Sequence, residues 1–191
     1  MNKRASKLTG SFFAAACILF IGQYNSFGQN SGSFCSERFL PKKGVVLLRE
    51  KFRDWRIKTV EDMEPAHQAL WQQNRFMDCP GLAKGHFTGT ASEEIGLLLV
   101  PRQTEKKGFK VVVLAQKPGG SGMELISIKS ESMQDQERFV VYMAPAGLYS
   151  NYNKTKEVEL QSDGIYLEDL EMGSTLVYWK NSRFETLEMV R

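Results

Sequence analysis

The chain has 191 residues, of which 42% are hydrophobic and 25% are charged. This length suits one domain with a sizeable core, and the apolar content excludes an intrinsically disordered protein. The formal net charge is +3, but Lys3, Arg4 and Lys7 account for the whole excess. Basic and acidic residues balance in the rest of the chain, which gives no electrostatic reason to expect binding to nucleic acid or to an acidic membrane.

Residues 1–28 have the three zones of a cleavable signal peptide. A basic start leads into the apolar run Phe12–Gly22, and small polar residues precede a cleavage point after Gly28. Spanning a bilayer takes about 20 apolar residues, so we expect an exported protein, periplasmic or extracellular, whose mature chain has no transmembrane segment. Lipidation at Cys17 is the less favoured alternative, because cleavage there would leave Ile18–Ile21 in the mature chain.

Two cysteines, Cys35 and Cys79, remain after cleavage. In an oxidising compartment a lone pair of cysteines most simply forms a disulfide. The alternative is a reactive thiol, but the chain has no Cys-x-x-Cys motif, and the sequence positions neither His67 nor His86 to activate one. The sequence therefore predicts a Cys35–Cys79 disulfide, which would contribute roughly 4 kcal/mol by restricting the unfolded chain.

The first part of the mature chain predicts helices. Residues 29–43 are expected to be a flexible lead-in, and Val45, Leu48 and Phe52 are then spaced for one face of a short helix. The next few residues, 54–58, alternate in a way that allows an extended segment. A second helix is expected near Pro65, because proline suits the first helical position. The predicted buried stripe of this helix consists of Met63, Ala66, Leu70 and Trp71.

From residue 94 onward, short runs of branched and aromatic residues alternate with turn residues. The predicted strands are Ile95–Val100, Phe109–Ala115, Met123–Ile128, Phe139–Met143, Val158–Leu160, Ile165–Leu167, Thr175–Trp179 and Phe184–Met189. The last two runs are joined through Asn181-Ser182, the strongest hairpin signal in the chain. Short turns favour antiparallel pairing. We therefore expect an α+β fold with one or two N-terminal helices and an antiparallel meander of about six to eight strands, forming a single domain over residues 44–191.

Residues 80–100 contain a glycine-rich turn that leads into a strand. Gly85 and Gly89 bracket Phe87, which would anchor the turn in the core. The continuous apolar run Leu97–Val100 is typical of a strand covered on both faces. On these residues the segment resembles the FG-GAP or VCBS-like segments of small exported bacterial proteins. The resemblance is looser over the later stretches Asp163–Ile165 and Tyr178–Phe184.

The resemblance implies a calcium-binding turn, yet this chain departs from the family's pattern of acids. His86, Thr88 and Thr90 stand at positions where the family has acidic residues, and Glu94 alone stands at an acidic position of the frame. Calcium takes about six to eight oxygen ligands, several of them carboxylates. We therefore expect the turn to fold without a metal, and no cofactor is predicted.

Sequence patterns reveal no catalytic arrangement. Nothing in the sequence ties His67 on the predicted helix to His86 in the turn, and the adjacent Glu93 and Glu94 would point to opposite faces of a strand. The sequence thus favours a non-enzymatic exported domain that binds a protein or an envelope component. Two alternatives stay open: a small hydrolase with unrecognised catalytic residues, and an accessory protein with a structural role in the envelope.

The candidate binding residues are Tyr149 and Tyr152, which lie in the polar and aromatic stretch Gly147–Asn153. Tyrosine combines a large apolar area with a polar group and is common at binding surfaces. The alternative is that both side chains pack onto the edge of the sheet.

Overall fold

The computed structural model describes residues 35–75, 79–103, 105–131 and 136–189. These residues form two α-helices and eleven β-strands. The helices are α1 (Lys42–Lys51) and α2 (Pro65–Arg75). The strands are β1 (Trp55–Ile57), β2 (Leu82–Gly85), β3 (Glu94–Pro101), β4 (Phe109–Gln116), β5 (Met123–Glu131), β6 (Phe139–Ala144), β7 (Gly147–Ser150), β8 (Glu157–Leu160), β9 (Gly164–Asp169), β10 (Gly173–Lys180) and β11 (Arg183–Glu188).

The strands form two larger sheets and one hairpin, all with antiparallel pairing. The first sheet has the order β1-β3-β4-β5, and β2 also pairs with β3. The second sheet has the order β11-β10-β9-β6, and β7 pairs with β8 in a separate hairpin. Neighbouring strands are mostly consecutive in the chain, as short turns require. β1 and β2 pair with successive parts of β3, since Ile57 lies opposite Leu99 and Leu82 lies opposite Leu97.

The two sheets pack face to face around the main core. Val111 and Val113 of the first sheet share this core with Val141, Ile165 and Leu167 of the second. These side chains are almost completely buried, and burying each one contributes about 1.5–3 kcal/mol. Along each strand, every second side chain points away from this core. Each sheet therefore has a second apolar face, on its outer side, that must be covered.

Each outer face has its own cover. Leu48 of α1 packs on Leu97, Leu99 and Leu114, which covers the first sheet from outside. The β7–β8 hairpin covers the second sheet, with Val158 in contact with the apolar side chains of β10 and β11. The predicted two-sided burial of Leu97–Val100 is confirmed, because all four residues are fully inaccessible to solvent.

The α+β class, the two helices and the antiparallel strands are confirmed, but the predicted number of strands is too low. All eight predicted strands are present, and the additional ones are β1, β2 and β7. β2 and β7 contain glycine and have only four residues each. Such short segments show no clear alternation and have weak intrinsic strand propensity, so pairing with a longer neighbour is what makes them strands. β1 also precedes α2, so the helices do not all come before the sheet.

The predicted signal peptide, residues 1–28, lies outside the described residues, as does the first part of the predicted lead-in. Secondary structure begins within the rest of that lead-in. A short 3-10 turn spans Glu37–Phe39, Leu40 is buried, and α1 starts at Lys42, two residues before the expected boundary. No helix among the described residues is long and apolar enough to cross a membrane.

The second helix buries only part of its predicted stripe. Met63 and Trp71 are buried against Val140 of β6, as expected for a core-facing side. Ala66 and Leu70 are exposed. The helix therefore contacts the second sheet through a narrow strip, and more of its surface faces solvent than the spacing predicts.

Candidate functional site: a groove at one corner of the two sheets

Two turns that are far apart in the sequence meet at one corner of the molecule. The backbone N–H of His86 donates a hydrogen bond to Oδ2 of Asp163, at 2.9 Å. Ser162 Oγ donates to the backbone oxygen of Phe87, at 3.3 Å. The turn after β2 is thereby fixed against the turn between β8 and β9. This corner joins the two segments that the sequence analysis related to FG-GAP-like proteins.

A buried carboxylate organises the turn after β2. Glu94 is completely buried and accepts hydrogen bonds from the backbone N–H of Thr88 at 2.7 Å and from the hydroxyl of Thr90 at 3.1 Å. The hydroxyl of Thr88 also donates to it. Phe87 is fully buried beneath the turn, and Gly89 has a φ of 75°, a conformation that favours glycine. Threonine hydroxyls and a backbone N–H thus bind the carboxylate of Glu94 within the turn.

The third wall of the corner is the β10–β11 hairpin. Asn181 and Ser182 form its two-residue turn with φ values of 49° and 60°, as a type I′ turn requires. The indole of Trp179 packs edge-on against Phe184 with ring centroids 4.8 Å apart. Tyr178 is buried and donates its phenolic hydrogen to Glu185, at 3.3 Å. Burial and the neighbouring Glu185 carboxylate raise the pKa of Tyr178, so the phenol stays protonated near neutral pH.

These three segments enclose an open groove of about 430 Å³, here called the corner groove. Its lining residues are Thr88, Gly89, Glu159, Gln161, Ser162, Tyr178, Trp179, Lys180 and Asn181. They supply an aromatic surface, hydroxyls, two amides, one carboxylate and one ammonium group. Within the described part of the chain no hydrogen bond engages the side-chain amides of Gln161 and Asn181, so both are available to a ligand. The volume lies in the usual range for ligand sites.

The outer face of the β7–β8 hairpin continues the surface of the corner groove. Leu148 is paired with Glu159, so the two side chains stand side by side. Leu148 is 69% exposed and Tyr152, in the turn of the hairpin, is 74% exposed. Large apolar side chains this exposed are more typical of binding surfaces when they lie together. We call Leu148, Ser150, Tyr152 and Glu157 the hairpin face.

The two tyrosines singled out from the sequence have different surroundings. Tyr149 is partly buried, its ring contacts Tyr166 at a centroid distance of 6.1 Å, and its hydroxyl donates to the backbone oxygen of Pro145 at 2.6 Å. It points toward the second sheet, because alternate residues of a strand face opposite sides. Tyr152 projects into solvent. Tyr149 therefore packs onto the sheet, and Tyr152 remains a candidate binding residue.

Cys35 and Cys79 lie at disulfide-bonding distance, with their Cα atoms 5.0 Å apart. Both are buried with Leu40 and Leu48 beneath the outer face of the first sheet. The bond joins the start of the described chain to the segment that leads into β2. It lies away from the corner groove and has a structural role.

An unexpected buried charge lies outside the groove. Lys58 follows β1, is fully buried, and donates from Nζ to the backbone oxygen of Gln136. Burial is the main cause that lowers its pKa from 10.5 to about 7, although the carboxylates of Asp62 and Glu137 oppose the shift. Asp62 also pairs with Arg56. Although burial alone would raise the pKa of Asp62, hydrogen bonds from Arg56 and Thr59 outweigh it and lower that pKa.

The two histidines lie on different elements of the fold. His86 is exposed in the turn after β2. His67 lies on α2 beside Glu171, with 3.6 Å between Nε2 and Oε1. Neither histidine is among the residues that line the groove. The groove's side chains therefore provide hydrogen bonds and contact area for binding, and no histidine–carboxylate pair lies among those that line it.

No family model, curated protein or solved structure matches the chain. The resemblance to FG-GAP-like segments therefore stays a prediction.

Sequence reasoning missed most residues of the corner groove. Its lining comes from three segments separated by tens of residues, and Glu159, Gln161 and Lys180 show no motif within any one of them. The sequence contains a partial signal for the groove, because Asp163–Ile165 and Tyr178–Phe184 are both among the stretches that resemble FG-GAP-like proteins. What could not be read from the sequence is that both stretches meet Thr88 at one corner.

Proposed function

We propose that this protein is an exported domain that binds a protein or another envelope component through the corner groove and the hairpin face. The observation that carries the proposal is the composition of this surface. A partly exposed indole, that of Trp179, lines the groove together with the carboxylate of Glu159 and the ammonium of Lys180, and the exposed apolar side chains of the hairpin face lie beside it. Aromatic anchors surrounded by hydrogen-bonding groups are typical of recognition surfaces.

The chemistry of the groove favours a polar chain as the ligand. Charges of both signs are present, so neither a polyanion nor a polycation is specifically favoured. The amides of Gln161 and Asn181 can donate and accept hydrogen bonds, as a peptide backbone or a sugar hydroxyl requires. The exposed Leu148 and Tyr152 add apolar contact area beside the groove. An extended segment of a partner protein fits this combination.

Export is supported by the cysteine pair. Disulfides persist mainly in oxidising compartments outside the cytoplasm, and Cys35 and Cys79 lie at bonding distance. Together with the N-terminal pattern of residues 1–28, this supports a partner in the cell envelope or outside the cell.

A charge reversal with a matched control tests the groove. Glu159→Lys changes a residue that lines the groove, whereas Glu105→Lys makes the same change at an exposed position between β3 and β4, outside both the groove and the hairpin face. The purified exported protein serves as bait for envelope extract, and captured proteins are quantified by mass spectrometry. We expect Glu159→Lys to reduce capture of the specific partner by about tenfold or more, since charge contacts at binding sites are worth that much. Glu105→Lys should keep most of it.

The tyrosines separate binding from folding on the same surface. Tyr152→Ala should reduce capture without changing the circular dichroism spectrum or the melting temperature, because the side chain is mostly exposed. Tyr149→Ala should lower the melting temperature, because it removes the contact with Tyr166 and the bond to Pro145. Equal capture by wild type, Glu159→Lys and Tyr152→Ala would show that neither the groove nor the hairpin face is the recognition surface.

A further inference from the structure

We propose that Glu64, His67 and Glu171 form a binding site for a divalent transition-metal ion, with zinc as the ion to test. Their potential ligand atoms all lie within 4.8 Å of one another. Glu64 immediately precedes α2, His67 lies in its first turn, and Glu171 lies between β9 and β10. The site is separate from the corner groove. The sequence pattern predicts no metal, and the three side chains come together only in the folded chain.

The state of the His67 imidazole points to a missing partner. The side chain is only 13% exposed. Its Nδ1 atom is buried, and no group among the described residues forms a hydrogen bond with it. Its Nε2 atom is 3.6 Å from Oε1 of Glu171, which is longer than a normal hydrogen bond. Nε2 therefore faces a carboxylate oxygen without a normal hydrogen bond, at about the spacing that two ligands of one metal ion have.

Glu171 is held in a position to act as a ligand. Arg138 Nη1 lies 2.9 Å from Oε2 of Glu171, and Arg138 Nη2 lies 3.1 Å from Oδ2 of Asp169. The guanidinium therefore fixes one carboxylate oxygen and leaves Oε1 directed toward His67. Outer contacts of this kind orient metal ligands in proteins.

The local charge also suits a dication. The cluster and its contacts include three carboxylates, from Glu64, Asp169 and Glu171, and one guanidinium, that of Arg138. With a neutral imidazole the group has a formal charge of about −2, by simple counting of ionised side chains at neutral pH. A divalent ion would neutralise this charge.

The donor set favours zinc over calcium. One imidazole nitrogen and two carboxylate oxygens are ligands that zinc accepts in tetrahedral sites, with a water in the fourth position. Tetrahedral bonds of about 2.0–2.2 Å place two ligand atoms roughly 3.4 Å apart, and the His67–Glu171 pair is already 3.6 Å apart. Glu64 is exposed and can rotate inward. Calcium needs about six to eight oxygen ligands, which this group does not supply. A bound zinc would join α2 to the β9–β10 turn.

The experiment uses the exported, disulfide-bonded protein after removal of metals with a chelator. Zinc chloride is titrated at pH 7.5 by calorimetry, and thermal unfolding is followed with and without zinc. We expect one zinc per chain and a higher melting temperature, because a ligand that binds the native state stabilises it. At zinc concentrations about 100 times the dissociation constant, the folding equilibrium should shift about 100-fold.

The chain's two histidines give a matched control. His67→Ala should abolish zinc binding, whereas His86→Ala, a change at an exposed position outside the cluster, should leave it intact. Glu64→Gln and Glu171→Gln should each weaken binding by about tenfold or more. Glu64 is exposed, so this variant remains informative if His67→Ala fails to fold. No saturable binding by the wild type, or binding that survives Glu64→Gln unchanged or depends on His86, would overturn the proposal. Each outcome is independent of partner capture by the corner groove.

Discussion

Glu94, the first residue of β3, and Lys58, which is hydrogen-bonded to the same strand, are both completely buried charged residues, but the protein accommodates them differently. The carboxylate of Glu94 accepts hydrogen bonds from Thr88 and Thr90 within its own turn. Among the described residues the ammonium of Lys58 has one hydrogen bond, to the backbone oxygen of Gln136. Burying a charge is costly unless hydrogen bonds replace its hydration. Hydrogen bonds from the turn compensate the burial of Glu94. For Lys58, burial instead lowers the pKa, so that the side chain loses its proton more easily and the cost of burying its charge falls.

The largest expected effect comes from removing the carboxylate of the turn. Glu94→Ala should lower the free energy of unfolding by about 3–5 kcal/mol, because it removes the acceptor of three hydrogen bonds and leaves a cavity at a fully buried position. Thr90→Val, which removes one of the donors, should cost about 1 kcal/mol. Denaturant unfolding measures both. Glu93→Ala is the control: its exposed side chain lies 3.7 Å from Lys84, and surface pairs contribute little. Similar losses for Glu93→Ala and Glu94→Ala would contradict this account.

The second largest expected effect is the pH dependence that Lys58 gives to the free energy of unfolding. Its pKa is about 7 in the folded protein and near 10.5 in the unfolded chain, so between these values only the unfolded chain holds the proton. The free energy of unfolding should therefore rise as the pH increases from about 7 toward 10. At higher pH it should fall, since burial raises the pKa of Tyr149, Tyr166 and Tyr178 and ionisation then favours the unfolded chain.

Lys58→Met tests the origin of that slope. The variant should be about 1–4 kcal/mol more stable than wild type at pH 6, because an apolar side chain replaces a buried charge. Its stability should also stay flat between pH 7 and 9. Lys117→Met, at an exposed position in the β4–β5 turn, should keep the wild-type slope. If the slope survives in Lys58→Met, another group causes it.

The smallest expected effect is that of calcium on the turn. Because threonine donors already satisfy the buried carboxylate of Glu94, adding millimolar calcium should leave the melting temperature unchanged. The same measurement on His67→Ala excludes any contribution from the proposed zinc site. A rise of several degrees in both proteins, lost in Glu94→Ala, would mean that the turn binds calcium after all.

Local sequence patterns predicted those helices and strands in which the spacing of the apolar residues matches the face that is buried. Leu48 and Trp71 mark helix faces, and Leu97–Val100 marks a strand covered on both sides. Tyr149 and Tyr152 could not be distinguished, because the four-residue strand β7 was not recognised and its alternation was not applied. Once β7 is known, Tyr149 must face inward.

Lys58 and the groove depend on tertiary structure in a way that no local pattern records. A lysine that follows an alternating stretch is expected on the surface, since lysine is almost never fully buried. Its burial results from its place in the fold beside Gln136. Likewise, Glu159 and Lys180 line the same groove only because the end of β8 and the β10–β11 hairpin lie at the same corner of the molecule.

The pairing along one edge of β3 has a consequence for how the register of that edge is set. Leu98 accepts a hydrogen bond from the N–H of Lys58, and its own N–H donates to the oxygen of Gly81. A Cβ on Gly81 would lie 2.4 Å from the oxygen of Lys58, so the chain leaves the edge and returns to it at nearly the same point. To the sheet, β1 and β2 are one interrupted strand, and the residues between them, α2 included, form an excursion from its edge. The register of that edge is therefore set at the two ends of the excursion, by Lys58 and Gly81 on Leu98.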